Sequence, residues 1–156
     1  MEKAVSQGRP ALRLSRTYGV APEKVWHAWT DPQALSHWFG PGEPSSVTRA
    51  DLDVRPGGRY HIAFRTPDGQ EHGVHGIYEE VDPPRRLVFS WAWKSTPERV
   101  SRVRLAFAAV PEGTRMELLH EAFFDDTARD NHMRGWGGTL VKLEWFCKDL
   151  ERAVLP

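Results

Sequence analysis

The sequence predicts an α+β fold in which a seven-stranded antiparallel sheet curls around one long C-terminal helix, with two short helices between strands one and two. Three observations carry that expectation. From Asp126 to Leu155 the apolar residues Met133, Trp136, Leu140, Leu143, Cys147, Leu150 and Val154 recur at three-four spacing, one face of a helix. Upstream, seven short segments alternate apolar and polar side chains. Tight turns rich in Pro, Gly and Asp separate most of them, so that consecutive segments pair as a meander.

The first strand spans Ala11 to Val20, with Leu12, Leu14 and Tyr18 on one face and Arg13, Ser15 and Thr17 on the other. Arg16 falls on the apolar face; snorkelling near a sheet edge accounts for it, a buried ion pair being the alternative. Residues 1–9 carry no pattern and read as a loose tail. Ala21-Pro22-Glu23 opens a helix whose apolar side is Val25, Trp26, Ala28 and Trp29, proline being suited to a first turn. Thr30-Asp31-Pro32 ends it and starts a second, with Leu35, Trp38 and Phe39 as its apolar residues. Gly40-Pro41-Gly42-Glu43-Pro44 is a loop.

Six strands follow. Val47 to Val54 sets Thr48, Ala50, Leu52 and Val54 against Arg49, Asp51 and Asp53, the latter a solvated face. Pro56-Gly57-Gly58 turns into Arg59 to Arg65, where Tyr60, Ile62 and Phe64 share a side, and Pro67-Asp68-Gly69 is a hairpin turn. Glu71 to Val81, Leu87 to Trp93, Val100 to Val110 and Thr114 to Ala122 complete the set. Their aligned apolar groups are Leu87, Phe89, Trp91 and Trp93, then Val103, Leu105 and Phe107, then Met116 and Leu118 with His120. Asp125 and Asp126 cap the final helix, and Arg134, Lys142, Glu144, Lys148, Asp149, Glu151 and Arg152 occupy its other faces.

At 156 residues, 40% hydrophobic, with no linker or internal repeat, one domain over 1–156 is expected. The 21 basic and 21 acidic residues cancel, without a basic run, which argues against nucleic acid as a partner. No segment approaches the roughly 20 apolar residues of a membrane span. The N-terminal MEKAVSQGRP lacks the apolar core of a signal peptide, so the cytoplasm is the expected compartment. Cys147, the sole cysteine, lies on the helix stripe as a small buried side chain.

Particular residues then join this element order. They are Arg16-x-Tyr18, Pro22-Glu23-x-Val25-Trp26-x-Ala28-Trp29-Thr30-Asp31-Pro32, Leu35-x-x-Trp38-Phe39, Arg55-Pro56-Gly57-Gly58, Pro67-Asp68-Gly69, Pro83-x-Arg85-x-Leu87, Gly113-Thr114, His120 and Gly135-Trp136. In order and spacing they resemble the SRPBCC (START-like) superfamily, in the branch named after the activator of heat-shock-protein-90 ATPase, from about Leu12 to Leu150. That resemblance implies a helix-grip fold with a cavity between sheet and helix. The superfamily's jobs range from lipid carriage and hormone reception to cyclase chemistry and chaperone binding, so the fold alone does not choose among them.

The chemistry visible in the residues is sparse. No phosphate-binding glycine loop or Gly-x-Ser-x-Gly elbow occurs. The histidines are scattered, and His72 and His75, three apart on a strand, cannot share a metal; neither a metal nor a cofactor is expected. His120, by parity with Met116 and Leu118, should face the helix, either as a satisfied core histidine or as a polar anchor or general acid/base. His75, in parity with Ile77, is the second candidate. The helix glycines Gly135, Gly137 and Gly138 imply either close approach of a strand or a bend that admits ligand.

Three functions follow. The first is binding of a small hydrophobic molecule lined by Trp38, Phe64, Trp91, Trp93, Phe107 and Trp136, with His120 and His75 as polar contacts. An enzyme of the cyclase, dehydratase or hydrolase kind would use His120 for proton transfer. An interaction domain, regulating a chaperone or a transcriptional regulator, would expose Trp29, Trp38 and Phe39. A sheet edge would permit a homodimer.

Overall fold

The computed structural model describes residues 8–41 and 46–154, without the side chains of 152–154. The expected tail over 1–9 therefore falls mostly outside the described residues, as do Gly42, Glu43 and Pro44 of the loop and the side chain of Val154. Chain order is β1 (Leu12–Tyr18), α1 (Pro22–Thr30), α2 (Pro32–Leu35), β2 (Val47–Leu52), β3 (Arg59–Arg65), β4 (Glu71–Asp82), β5 (Arg86–Trp93), β6 (Ser101–Val110), β7 (Gly113–Glu121) and α3 (Asp126–Val154).

The seven strands form one antiparallel sheet in the order β1-β7-β6-β5-β4-β3-β2. Every neighbour is thus the next strand in sequence, except that β1 closes on β7 while α1 and α2 span the gap to β2 at the far edge. Helix α3, 29 residues and about 43 Å long at about 1.5 Å per residue, buries Trp136, Leu140, Leu143 and Cys147 against the sheet. This is the helix-grip arrangement. No helix among the described residues is long and apolar enough to cross a membrane.

Local chemistry explains the element ends. Pro22 starts α1; the Asp31 carboxylate caps α2 by accepting from the Ala34 N–H at 3.0 Å, and Asp125 caps α3 by accepting from the Ala128 N–H at 2.8 Å. Helix α2 is a single turn ending at Leu35, so Trp38 and Phe39 sit in the segment that leaves it rather than on the helix.

Several face assignments are corrected. A bulge between Val47 and Arg49 advances β2 by one residue, so Val47 joins Ala50 and Leu52 toward the core while Thr48 is exposed and donates to Glu71. On β4, Val74 and Tyr78 are buried, whereas Ile77 is 40% exposed; His75 therefore lies on the outer face with Ile77, not toward the helix. On α3, Met133 is exposed, and Lys142, placed by pattern among the solvated residues, is buried. Arg16 is half-buried on edge strand β1 and donates to the Ser15 carbonyl.

Candidate functional site

The concave side of the sheet and α3 do not close completely. Between them lies a cavity of ≈ 320 Å³, within the size range of small-molecule pockets. Its walls are Phe39, Gly40 and Pro41 after α2, Phe64 on β3, Trp91 and Trp93 on β5, and Asn131, His132, Gly135, Trp136 and Thr139 on α3. Among the described residues, no charged side chain lines it.

The rings form a connected cage. Trp91 meets Trp93 edge-on at 5.6 Å and Trp136 at 5.2 Å; Phe64 meets Trp93 at 6.0 Å and Phe39 at 6.1 Å. Strand period two puts Trp91 and Trp93 on the same face, and residues 132, 135, 136 and 139 lie on one side of a helix. The segment closing one side is held from the helix: the buried Lys142 ammonium donates to the Gly40 carbonyl. Gly40 has φ +91°, and a Cβ there would press on the Phe64 ring at 3.2 Å, so only glycine lets the backbone lie this close.

Two indole N–H groups each point at an imidazole. Trp93 Nε1 donates to His132 Nε2 at 2.9 Å, and Trp136 Nε1 donates to His120 Nδ1 at 3.0 Å. Since an indole nitrogen can only donate, both receiving nitrogens carry lone pairs. His132 then holds its proton on Nδ1 and gives it to the Ala128 carbonyl at 2.7 Å. His120 holds its proton on Nε2 and donates to Ser101 Oγ at 2.8 Å, which in turn donates to the Trp91 carbonyl at 3.2 Å. Protonating either ring would set N–H against N–H. Burial pushes both pKa values below the ordinary histidine value, far below for His120, with His132 adding a smaller like-charge contribution.

Of the residues predicted to line the pocket, Phe64, Trp91, Trp93 and Trp136 do so. Trp38 does not: it is wholly buried against Trp29 at 4.7 Å and donates to the Ala28 carbonyl at 3.1 Å. Phe107 faces inward but at the other end of the sheet, against Trp26 at 5.9 Å. His120 stands behind Trp136 and His132, with no surface in the cavity; its ring nitrogens are both occupied, and its proton points at Ser101, the wrong polarity for activating that hydroxyl. His75 is on the opposite face of the sheet, for the parity reason given above.

Phe39, Gly40, Pro41, Asn131, His132 and Thr139 also line the cavity and were not among the residues expected there. A signal existed for His132, which is four residues before Trp136 and so on the same helix face. Of the two explanations for the helix glycines, close approach fails: a Cβ at Gly135, Gly137 or Gly138 would meet nothing within 4 Å. Gly135 opens directly onto the cavity. Trp29, Trp38 and Phe39, the surface proposed for an interaction domain, are all buried. Cys147 is buried as expected, its pKa pushed up to about 12 by burial and, less, by Glu144. No cluster of metal-binding side chains occurs among the described residues.

The same fold occurs in solved bacterial proteins. The AHSA1 protein of Silicibacter pomeroyi is 31% identical over 86% of this chain and 95% of its own, with a TM-score of 0.77. A putative uncharacterized protein of Rhizobium leguminosarum is 27% identical over 90% and 95%, with a TM-score of 0.78. A protein of Nitrosomonas europaea is 26% identical over 91% and 96%, with a TM-score of 0.77. No curated protein matches the chain. The family model described as activator of Hsp90 ATPase homolog 1-like protein matches residues 20–147, and the chain belongs to that family.

Proposed function

We propose that the protein binds a small, uncharged, largely apolar molecule in the cavity between the sheet and α3. The observation carrying this reading is an open volume of ≈ 320 Å³ walled by five large aromatic side chains, Phe39, Phe64, Trp91, Trp93 and Trp136, with no charged group on its walls among the described residues. A helix that places glycine at 135, beside that volume, gives up about 1 kcal/mol relative to alanine; keeping the space open is a use for the loss. His132, Asn131 and Thr139 supply the few polar groups that orient a ligand in such a site. An enzymatic role through His120 has no support, since that ring is saturated and lies behind the wall. The family description names an ATPase activator, but the aromatics proposed to carry a protein contact are buried.

The test is a titration with an apolar fluorescent probe, read by probe emission and by quenching of the three wall tryptophans, on the natural protein and on Gly135→Leu. The natural protein should bind saturably, and the leucine, entering empty space, should weaken binding at least tenfold while leaving the protein folded. A flat titration of the natural protein, or equal binding by the variant, overturns the proposal.

A further inference from the structure

A second concavity lies on the opposite, outer face of the same sheet. It is a groove of ≈ 620 Å³ lined by Arg49 and Asp51 of β2, Arg59, Tyr60 and His61 of β3, His75, Gly76 and Ile77 of β4, Ser90 and Ala92 of β5, and Val100. The ladder explains its shape. Asp51, His61, His75 and Ala92 stand directly opposite one another across four strands, and Ala63 faces Gly73 in the adjoining row. Small residues thus form the floor while long ones rise around it. Gly73 matters most: a Cβ there would fall 3.2 Å from His61 Nε2 and 3.7 Å from Lys94 Cβ, so its absence lets the imidazole and the lysine stem lean over the same spot.

The charges are unbalanced. Arg49 is paired with Asp51, and Asp53 with Arg55. Arg59 and Lys94 have no ion-pair partner among the described residues. Arg59, in the lining opposite Ile77, and Lys94, at the rim beside Gly73, therefore stand on either side of the two imidazoles, with Ile77 and Val100, 40% and 52% exposed, as an apolar wall. The His61 pKa is held below the ordinary value by burial first and then by Arg49 and His75, with Asp51 opposing and Lys94 adding a smaller push.

We propose that this groove is a second binding site, for a small organic dianion. Its oxyanion head lies over His61 and His75 between Arg59 and Lys94, and its apolar body rests against Ile77, Val100 and Ala92. Two unpaired cations match a double negative charge, and imidazole and guanidinium N–H groups suit oxyanion oxygens. This site is independent of the inner cavity.

Phenyl phosphate is the probe, with inorganic phosphate as comparison, followed by NMR of the His61 and His75 imidazoles at pH 7. Saturable shifts of both rings are expected, with an upward displacement of the His61 titration on binding. Phenyl phosphate should bind several-fold tighter than inorganic phosphate. The double variant Arg59→Ala/Lys94→Ala, confined to exposed side chains, should weaken binding at least tenfold with the amide spectrum otherwise kept, whereas Gly135→Leu should bind as the natural protein does. Absence of saturable shifts, an unchanged double variant, equal affinity for the two phosphates, or loss of binding in Gly135→Leu would each overturn the proposal.

Discussion

His120 and His132 are fixed as neutral acceptors by tryptophan N–H groups, and the consequence is a pH dependence with a definite sign. In the unfolded chain each titrates near 6.5; in the folded protein both pKa values are lowered. Below about pH 6.5 the unfolded state therefore takes up protons that the native state refuses. Their contribution to stability is complete above the unfolded pKa and is lost as pH falls toward the folded values. For the fully buried His120 the slope should steepen as pH falls below 6.5, toward a ceiling of about 1.4 kcal/mol per pH unit, and the partly buried His132 should add less. Urea unfolding between about pH 7 and 5.5, above the main carboxylate range, measures this. His120→Gln should show a shallower slope than the natural protein; equal slopes, or a flat natural profile, would remove the locked-neutral assignment. The parity of β7 made the inward direction of His120 legible in the sequence. That Trp136 would occupy its Nδ1 was not, because hydrogen-bond partners come from the register between helix and sheet, which period counting does not fix.

Among elements, α3 departs furthest from its own propensities. Three glycines in one helix cost about 1 kcal/mol each, and no neighbouring backbone demands any of them. Gly138 is exposed on the solvent side, so Gly138→Ala should stabilise the protein by about 1 kcal/mol without touching ligand binding. Thermal unfolding checks it, and a loss of stability would mean that the backbone there needs glycine after all. The stripe Trp136–Cys147 and the strand positions were readable because each is a run of one clear period. Reading failed where the period breaks or is ambiguous. In β2 a bulge moves Thr48 out of the inward set. In β4, Val74 and Tyr78 on one parity compete with Ile77 and Val81 on the other, and a second bulge between Tyr78 and Glu80 blurs the choice. His75 was misplaced for that reason. Phe107 shows a different limit, since parity gave its face correctly but says nothing about depth along the sheet.

At the scale of the whole molecule, one sheet separates an apolar cavity from a cationic groove, and β3 and β5 contribute to both. Phe64 and Trp91 point inward while His61 and Ala92 point outward. Because alternating side chains serve opposite faces, each site can be occupied or disabled without rewriting the other. The cavity also leaves the native state with unfilled volume, so a ligand that fits it adds contacts absent from the unfolded chain and must raise stability by mass action. At free ligand one hundred times its dissociation constant the gain is about 2.7 kcal/mol. For a chain of this size that corresponds to a rise of roughly 5–10 °C in melting temperature. Thermal scans with organic extracts of the producing cells, and with individual apolar compounds thereafter, should find such a rise in the natural protein and lose it in Gly135→Leu. A rise of equal size in both proteins would place the bound molecule elsewhere, since the substituted helix no longer offers the volume on which the gain depends.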